Sequence, residues 1–106
     1  MAKVIFLLRR KPGTTREECL TYWGGETHTS IVSRVPGLDK WVHNAVTGGP
    51  GDADCDGIGE MWFATDDAMN NALNSPEMGE AMEDAKNFLD MEKTGMVIVS
   101  ETVVIG

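Results

Sequence analysis

Segments rich in branched and aromatic side chains alternate along the chain with segments whose apolar residues recur at helical spacing. Four segments of the first kind cover residues 3–9, 38–47, 57–65 and 95–106. Short runs of this composition are typical of strands, and runs that are apolar at both parities are typical of strands buried on both faces. We therefore predict four strands, with a loop at the Gly- and Asp-rich segment 48–56.

The helical segments begin at residues that suit helix capping. Ser, Thr and Asp side chains accept hydrogen bonds from the free backbone amides of a first helical turn. The predicted starts are Thr15 with Glu18 three residues later, Thr65 or Asp66, and Ser75 followed by Pro76. The first helical segment ends at Pro36-Gly37, which cannot continue a helix.

The first helical segment changes phase near its middle. Residues 19–23 and 31–35 each place apolar side chains on one side of a helix, but the two sides lie roughly 120° apart at about 100° per residue. One residue looped out between them would align the two sides. Gly24-Gly25 is the least helix-favouring pair in the segment, so we predict a π-bulge, kink or short break there.

The element order β-α-β-β-α-β predicts an α+β, ferredoxin-like sandwich formed by residues 1–106 as one domain. Segments 3–8 and 96–105 are apolar at both parities. Helices can cover only one face of the sheet, and a second copy of the chain is the simplest cover for the other. We therefore expect a homodimer, described as a dimeric α/β barrel, and leave open a higher oligomer.

Charge and cysteine content narrow the classes of partner. The chain carries 9 Lys and Arg against 17 Asp and Glu, a formal charge of −8. This balance argues against nucleic acid and anionic membrane surfaces as partners. Acidic residues concentrate in 52–56 and 77–92, as is typical of a solvated surface. Two isolated cysteines, and an opening apolar run too short for a signal peptide or a membrane span, predict a soluble cytoplasmic protein with free thiols.

Both histidines are candidates for acid–base chemistry. His28 lies on the apolar side of its helix, where an imidazole can act as a general acid or base or can simply be a polar residue at the edge of the core. His43 shares strand parity with Trp41, whereas Asn44 points the other way. Either His43 or Asn44 can therefore enter a pocket beneath the helices, but not both.

Glu60 and a set of aromatic residues complete the candidate site. Glu60 alternates with Ile58 and Trp62, and a carboxylate among apolar neighbours is either paired, for example with Lys40, or has a raised pKa that suits proton transfer. Aromatic side chains could form the walls of a flat apolar pocket or simply pack in the core. These aromatic candidates are Tyr22, Trp23, Trp41, Trp62 and Phe88.

No motif for a metal or cofactor is present. The segment GGPG (48–51) lacks the Lys and Ser/Thr of a phosphate-binding loop. The spacing of Cys55, Asp56 and the two histidines matches no usual metal site. We therefore expect neither a metal nor a cofactor.

Several segments together resemble the EthD family of small dimeric α/β-barrel proteins. The segment KVIFLLRRKPGTTREECLTYW resembles the first strand and helix of the family. The later landmarks are His28 eight residues before Pro36-Gly37-Leu38, DGIGEMWF (56–63), NFLD (87–90) and the closing VSETVVI. In the family a Tyr-Trp pair precedes the histidine by one residue fewer, which supports an extra residue near Gly24-Gly25.

The resemblance implies a ferredoxin-like dimer with a pocket between helices and sheet in each subunit, and His28 as a pocket acid or base. Relatives with this fold include methylmuconolactone isomerases, polyketide cyclases and cofactor-free monooxygenases. The segment IGEMWFA (58–64) is similar to a methylmuconolactone methylisomerase. Glu60 or Asn44 would then orient the substrate.

The leading hypothesis is a cofactor-free isomerase, lyase or cyclase that acts in the catabolism of aromatic-derived or lactone-like compounds and binds a small apolar or aromatic metabolite. One alternative is a cofactor-independent monooxygenase. Another is a non-catalytic dimer that assists an oxygenase system.

Overall fold

The computed structural model describes all 106 residues and contains a four-stranded antiparallel sheet with helices on one face. The strands are β1 (Ala2–Leu8), β2 (Leu38–Ala45), β3 (Gly57–Phe63) and β4 (Gly95–Val99), in the order β2-β3-β1-β4. The helices are α1 (Arg16–Trp23), α2 (Glu26–Val32), α3 (Asp66–Leu73) and α4 (Pro76–Ala85). The predicted α+β, ferredoxin-like fold is confirmed.

The predicted caps and the predicted helix break are both present. Thr15 and Glu18 form a complete capping box on α1, and the Thr65 and Ser75 side chains cap α3 and α4. The first helical segment breaks at Gly24-Gly25, where Gly24 caps the end of α1 and Gly25 the start of α2. A Cβ atom on Gly25 would lie 3.2 Å from two carbonyl oxygens of the preceding turn, so the break suits a glycine.

The core lies between the helices and one face of the sheet. Along β3, residues at odd positions from Gly57 to Phe63 are buried, and those between them are only partly buried. One core cluster lies under α2, α3 and α4 and includes Val4, while a second joins Leu8 to the buried residues of α1 and to the segment after α4. Phe6 packs against both clusters, so it marks the junction where a cavity lies.

The last strand is shorter than predicted. We predict a strand over 95–106, but β4 ends at Val99, which pairs with Lys3 near the start of β1. Beyond this point only Ala2 of β1 remains as a backbone partner, and a longer strand would need several more. The prediction is wrong for residues 100–106, and the apolar side chains of residues 103–105 are 71–95% exposed.

Asp56 ties the 48–56 loop to the first strand and helix. Its side chain is 3% exposed and accepts hydrogen bonds from the Arg10 backbone amide at 2.8 Å, Arg10 Nη1 at 2.6 Å and Arg16 Nε at 2.9 Å. Burial alone would raise the pKa of this carboxyl, but these hydrogen bonds outweigh burial and hold the pKa below its usual value. The assignment of segment 52–56 to the solvated surface is therefore wrong for Asp56.

None of the helices is long and apolar enough to cross a membrane. Cys19 is buried and Cys55 half-buried, and both are free thiols. Burial raises the pKa of the Cys19 thiol to about 11, so this thiol stays protonated and unreactive at neutral pH.

Candidate functional site

A cavity of about 50 Å³ lies between the sheet and the helices, where the two core clusters meet. Thirteen of its sixteen lining residues are hydrophobic. The sheet contributes Phe6, Trp41 and Met61, and the helical side contributes Trp23 and Phe88. A largely apolar cavity with few polar groups is the usual form of a small-molecule site.

His28 is the titratable residue of this lining. It lies on α2, is 6% exposed, and its Nδ1 atom lies 2.9 Å from Asp84 Oδ2. Because an ionised carboxylate can only accept hydrogen bonds, Nδ1 carries a proton in this pair. The Nε2 atom has no hydrogen-bond partner within the protein, so in the neutral ring it can accept a proton or a hydrogen bond.

Asp84, on α4, is held by three donors. Its second oxygen accepts hydrogen bonds from the Tyr22 hydroxyl at 2.9 Å and from Asn87 Nδ2 at 3.2 Å. Burial would raise the Asp84 pKa, but the hydrogen bonds from His28, Tyr22 and Asn87 outweigh it and lower the pKa. The bond to the Asp84 carboxylate in turn raises the Tyr22 pKa. The ionised carboxylate therefore fixes the orientation of the imidazole, as a third group does for the base in many enzymes.

Trp23 forms a wall of the cavity by lying flat against β3. A Cβ atom added to Gly57 would lie 2.8 Å from Trp23 Cζ3, and one added to Gly59 would lie 3.1 Å from Cζ2. The indole stacks on the ring of His43 at 3.7 Å between centroids and 11° between planes. The two glycines therefore leave the space that the indole occupies.

Replacing Gly57 with alanine should lower the free energy of unfolding by about 1–3 kcal/mol, because the new methyl group overlaps a buried indole ring that has little room to move. Urea denaturation measures the change. Gly79→Ala is the matched control, since Gly79 lies on an exposed face of α4 with open space around it and should be neutral or slightly stabilising. Equal stability of Gly57→Ala and the natural protein would contradict this account.

His43 lies behind this wall and does not line the cavity. Its Nε2 atom is buried without a hydrogen-bond partner. Burial, and then the charge of His28, lower the pKa of His43 to about 4. His43 is therefore neutral at physiological pH, and its flat ring supports Trp23. The Trp41 ring packs nearly perpendicular to the His43 ring, with 4.3 Å between the ring centroids.

The lowered pKa of His43 makes stability depend on pH. The unfolded chain takes up this proton near pH 6.5 and the folded protein only near pH 4, so stability falls as the pH drops through this window. Between pH 7 and pH 5 we expect a loss of about 1–2 kcal/mol from this group. His43→Phe keeps a flat ring against Trp23 and should remove most of the loss, as measured by urea denaturation at fixed protein concentration. An equally steep decline in the variant would count against this assignment.

The structure does not bring Glu60, Asn44 and Trp62 together with His28. Alternation along β3 and pairing with β2 place all three on the sheet face away from the helices. Glu60 binds Lys3 Nζ at 2.8 Å and accepts from Asn44 Nδ2 at 3.0 Å, and these bonds, that of Lys3 first, lower its pKa. The prediction that these residues share a cavity with His28 in the same subunit is therefore corrected, because all three lie outside that cavity. The partner of Glu60 is Lys3 and not Lys40.

The remaining predicted residues divide between the cavity lining and its support. Trp23, Trp41 and Phe88 line the cavity with His28. Tyr22 stacks on Phe88 at 4.9 Å and reaches the site through Asp84. Of His43 and Asn44, His43 is the one on the helix side of the sheet.

Sequence reasoning missed Asp84. It lies in the acidic stretch assigned to the solvated surface, yet its side chain is only 10% exposed. A signal was available: Asp84 follows Ala81 by three residues and precedes Phe88 by four, so it lies within the apolar stripe of its helix. A carboxylate on the buried side of a helix requires a partner, and His28 is that partner.

Comparison with known proteins agrees with this fold. An EthD-family protein of Bacillus halodurans superimposes with a TM-score of 0.78 at 22% identity, covering 96% of this chain and 99% of that one. The Arabidopsis thaliana protein At3g17210 gives 0.76 at 15% identity with 99% of both chains covered. A dimeric ferredoxin-like protein of unknown function from Thermobifida fusca gives 0.66 at 17% identity, covering 94% of this chain and 90% of that one.

No curated protein matches the sequence. The solved structures, at these identities, show the fold alone. The EthD domain profile, however, matches residues 11–92, which is most of the chain. The chain therefore belongs to the EthD domain family.

Proposed function

We propose that this protein is a cofactor-free enzyme of the isomerase, lyase or cyclase type that moves a proton on an apolar ring compound bound in the cavity. The observation that carries the proposal is the state of His28. Its Nδ1 is held by a carboxylate, while its Nε2 has no protein partner and the residue lines an apolar cavity. A positioned imidazole with one committed nitrogen is suited to act as a general base and then as a general acid.

The proposed chemistry uses two groups of this chain and the cavity walls. His28 Nε2 takes a proton from the substrate, and the adjacent Asp84 carboxylate stabilises the imidazolium that forms. The same nitrogen returns the proton to a different atom of the substrate, so the overall reaction needs no external oxidant. Proton transfer by one positioned group typically accelerates a reaction about 10²–10⁴-fold, and the aromatic walls of the cavity would add to this by orienting the substrate.

The similarity of residues 58–64 to a methylmuconolactone methylisomerase supports an isomerase acting on aromatic-derived or lactone-like compounds in catabolism. In this segment Gly59 and Met61 line the cavity. Free Cys19 and Cys55 fit a cytoplasmic protein.

A homodimer formed through the open face of the sheet belongs to the same proposal. Leu7 and Val97 on this face are 39% and 44% exposed, and Ile5 and Ile58 pair with them across the strands. A contiguous apolar face of this kind marks an interface, and the Thermobifida fusca relative is described as dimeric. Analytical ultracentrifugation should find two subunits per particle, and Leu7→Lys should shift the population to single subunits. A natural protein that stays single at micromolar concentration would overturn the dimer.

Deuterium exchange tests the catalytic proposal before a substrate is known. Phenols, cyclic enones and unsaturated lactones are incubated with the protein in D₂O, and proton NMR follows the loss of exchangeable C–H signals. Enzyme-dependent exchange at one carbon of one compound supports the proposal. Oxygen consumption without added flavin or metal would instead favour a monooxygenase, and binding without exchange would favour an accessory protein of an oxygenase system.

A further inference from the structure

We infer, resting on the function proposed above, that the cavity takes neutral ring compounds whose single hydrogen-bond donor is a hydroxyl, such as a phenol or an enol, and rejects carboxylates and phosphates. The first reason is the charge of the lining. Apart from thirteen hydrophobic residues, the lining contains His28, Gly59 and Thr94, and no lysine or arginine. An anion entering this space would lose its hydration without gaining a counter-charge.

The His28 ring does not supply the missing charge. When it is protonated, it forms an ion pair with Asp84 at 2.9 Å, and the pair as a whole is neutral. The chain also carries a formal charge of −8, so its field opposes the approach of an anion. A carboxylate is therefore disfavoured both on its way to the cavity and inside it.

The hydrogen-bonding capacity of the lining sets the second part of the inference. The Thr94 hydroxyl is committed to the backbone of Arg9, accepting from its amide at 3.1 Å and donating to its carbonyl at 3.4 Å. In the neutral ring, His28 Nε2 is then the one uncommitted nitrogen or oxygen acceptor among the lining side chains, whereas the indole N–H groups of Trp23 and Trp41 can only donate. It matches an O–H donor on the ligand, and a second donor on the ligand would be buried without an acceptor.

The shape of the wall does not select strongly among such compounds. Four methionines line the cavity, namely Met61, Met78, Met82 and Met91. A ring compound enters a space of about 50 Å³ only if these side chains shift, and unbranched thioether side chains adapt readily to ligands of different outline. Charge and the number of hydrogen-bond donors should therefore decide which compounds bind.

Isothermal titration at pH 8 with four related probes tests the inference. The probes are para-butylphenol, its methyl ether para-butylanisole, the anion para-butylbenzoate and para-butylacetophenone, which has nearly the shape of the benzoate without its charge. We expect the phenol to bind most tightly and the ether about 5–10-fold more weakly, as for one lost hydrogen bond. The benzoate should bind at least about 100-fold more weakly than the acetophenone, because desolvation of an ion costs several kcal/mol.

His28→Phe provides the matched control, because a phenyl ring fills the place of the imidazole without an acceptor. The variant should bind phenol and ether equally. Benzoate affinity equal to that of the phenol in the natural protein would overturn the inference, as would binding of none of the four probes. Failure of the proposed function would be a separate result. If the probes bind in the predicted order but no compound undergoes deuterium exchange, the catalytic proposal is wrong and the inferred ligand class stands.

Discussion

Replacing His28 with alanine should lower the rate of enzyme-dependent deuterium exchange by about 10²–10⁴-fold, because the group that accepts the proton is removed from the cavity. The fold should persist, as judged by circular dichroism, because most of the core does not touch this ring. Asn44→Ala is the matched control and should leave the rate unchanged, since Asn44 lies on the opposite face of the sheet. Equal loss in both variants would mean that the His28 cavity is not where proton transfer occurs.

Asp84→Asn separates positioning from proton transfer. The amide keeps the size of the carboxylate but can donate to Nδ1 instead of accepting from it, which favours the wrong tautomer of His28. The rate should fall with kcat affected more than KM, and Tyr22→Phe, which removes one hydrogen bond to the Asp84 carboxylate, should lower it less. A change in KM alone would indicate that Asp84 only shapes the cavity.

Replacing Asp56 with alanine should lower the free energy of unfolding by about 3 kcal/mol at pH 7, the largest stability effect expected in this protein. The change removes a carboxylate that is 3% exposed and leaves Arg10 and Arg16 without their partner. The side chains of these arginines are 43% and 29% exposed, so water can solvate them once the carboxylate is gone. The expected loss of stability is therefore at the low end of the range for breaking a buried ion pair.

Asp54→Ala in the same loop is the control for Asp56. Its side chain is 88% exposed and lies 4.0 Å from Arg9, so the change should be within about 0.5 kcal/mol. The lowered pKa of Asp56 adds a pH signature. Its stabilisation is present above the ordinary value of 3.8 and is lost as the pH falls below it, so the natural protein and Asp56→Ala should converge in acid. Equal effects of both substitutions at pH 7 would contradict the anchoring role.

The helices were predicted from local sequence patterns. The caps at Thr15, Thr65 and Ser75 and the break at Gly24-Gly25 depend on neighbouring residues and on helical spacing, and the structure has all of them. The strand prediction over 100–106 was wrong because a strand needs a paired neighbour, which composition does not reveal. The same limit led to grouping Glu60 with His28, since the strand register decides which face a side chain takes.

The order of elements, the helix caps and the αβ layering of this protein could be predicted from the amino-acid sequence, because these follow from side-chain periodicity and from interactions between residues a few positions apart. The candidate site, in contrast, depends on how the helices pack on the sheet. His28 and Asp84 are 56 residues apart in the chain and meet because α2 packs on α4 against the same face of the sheet. That packing turns a histidine and one of many acidic residues into an oriented pair beside an apolar cavity.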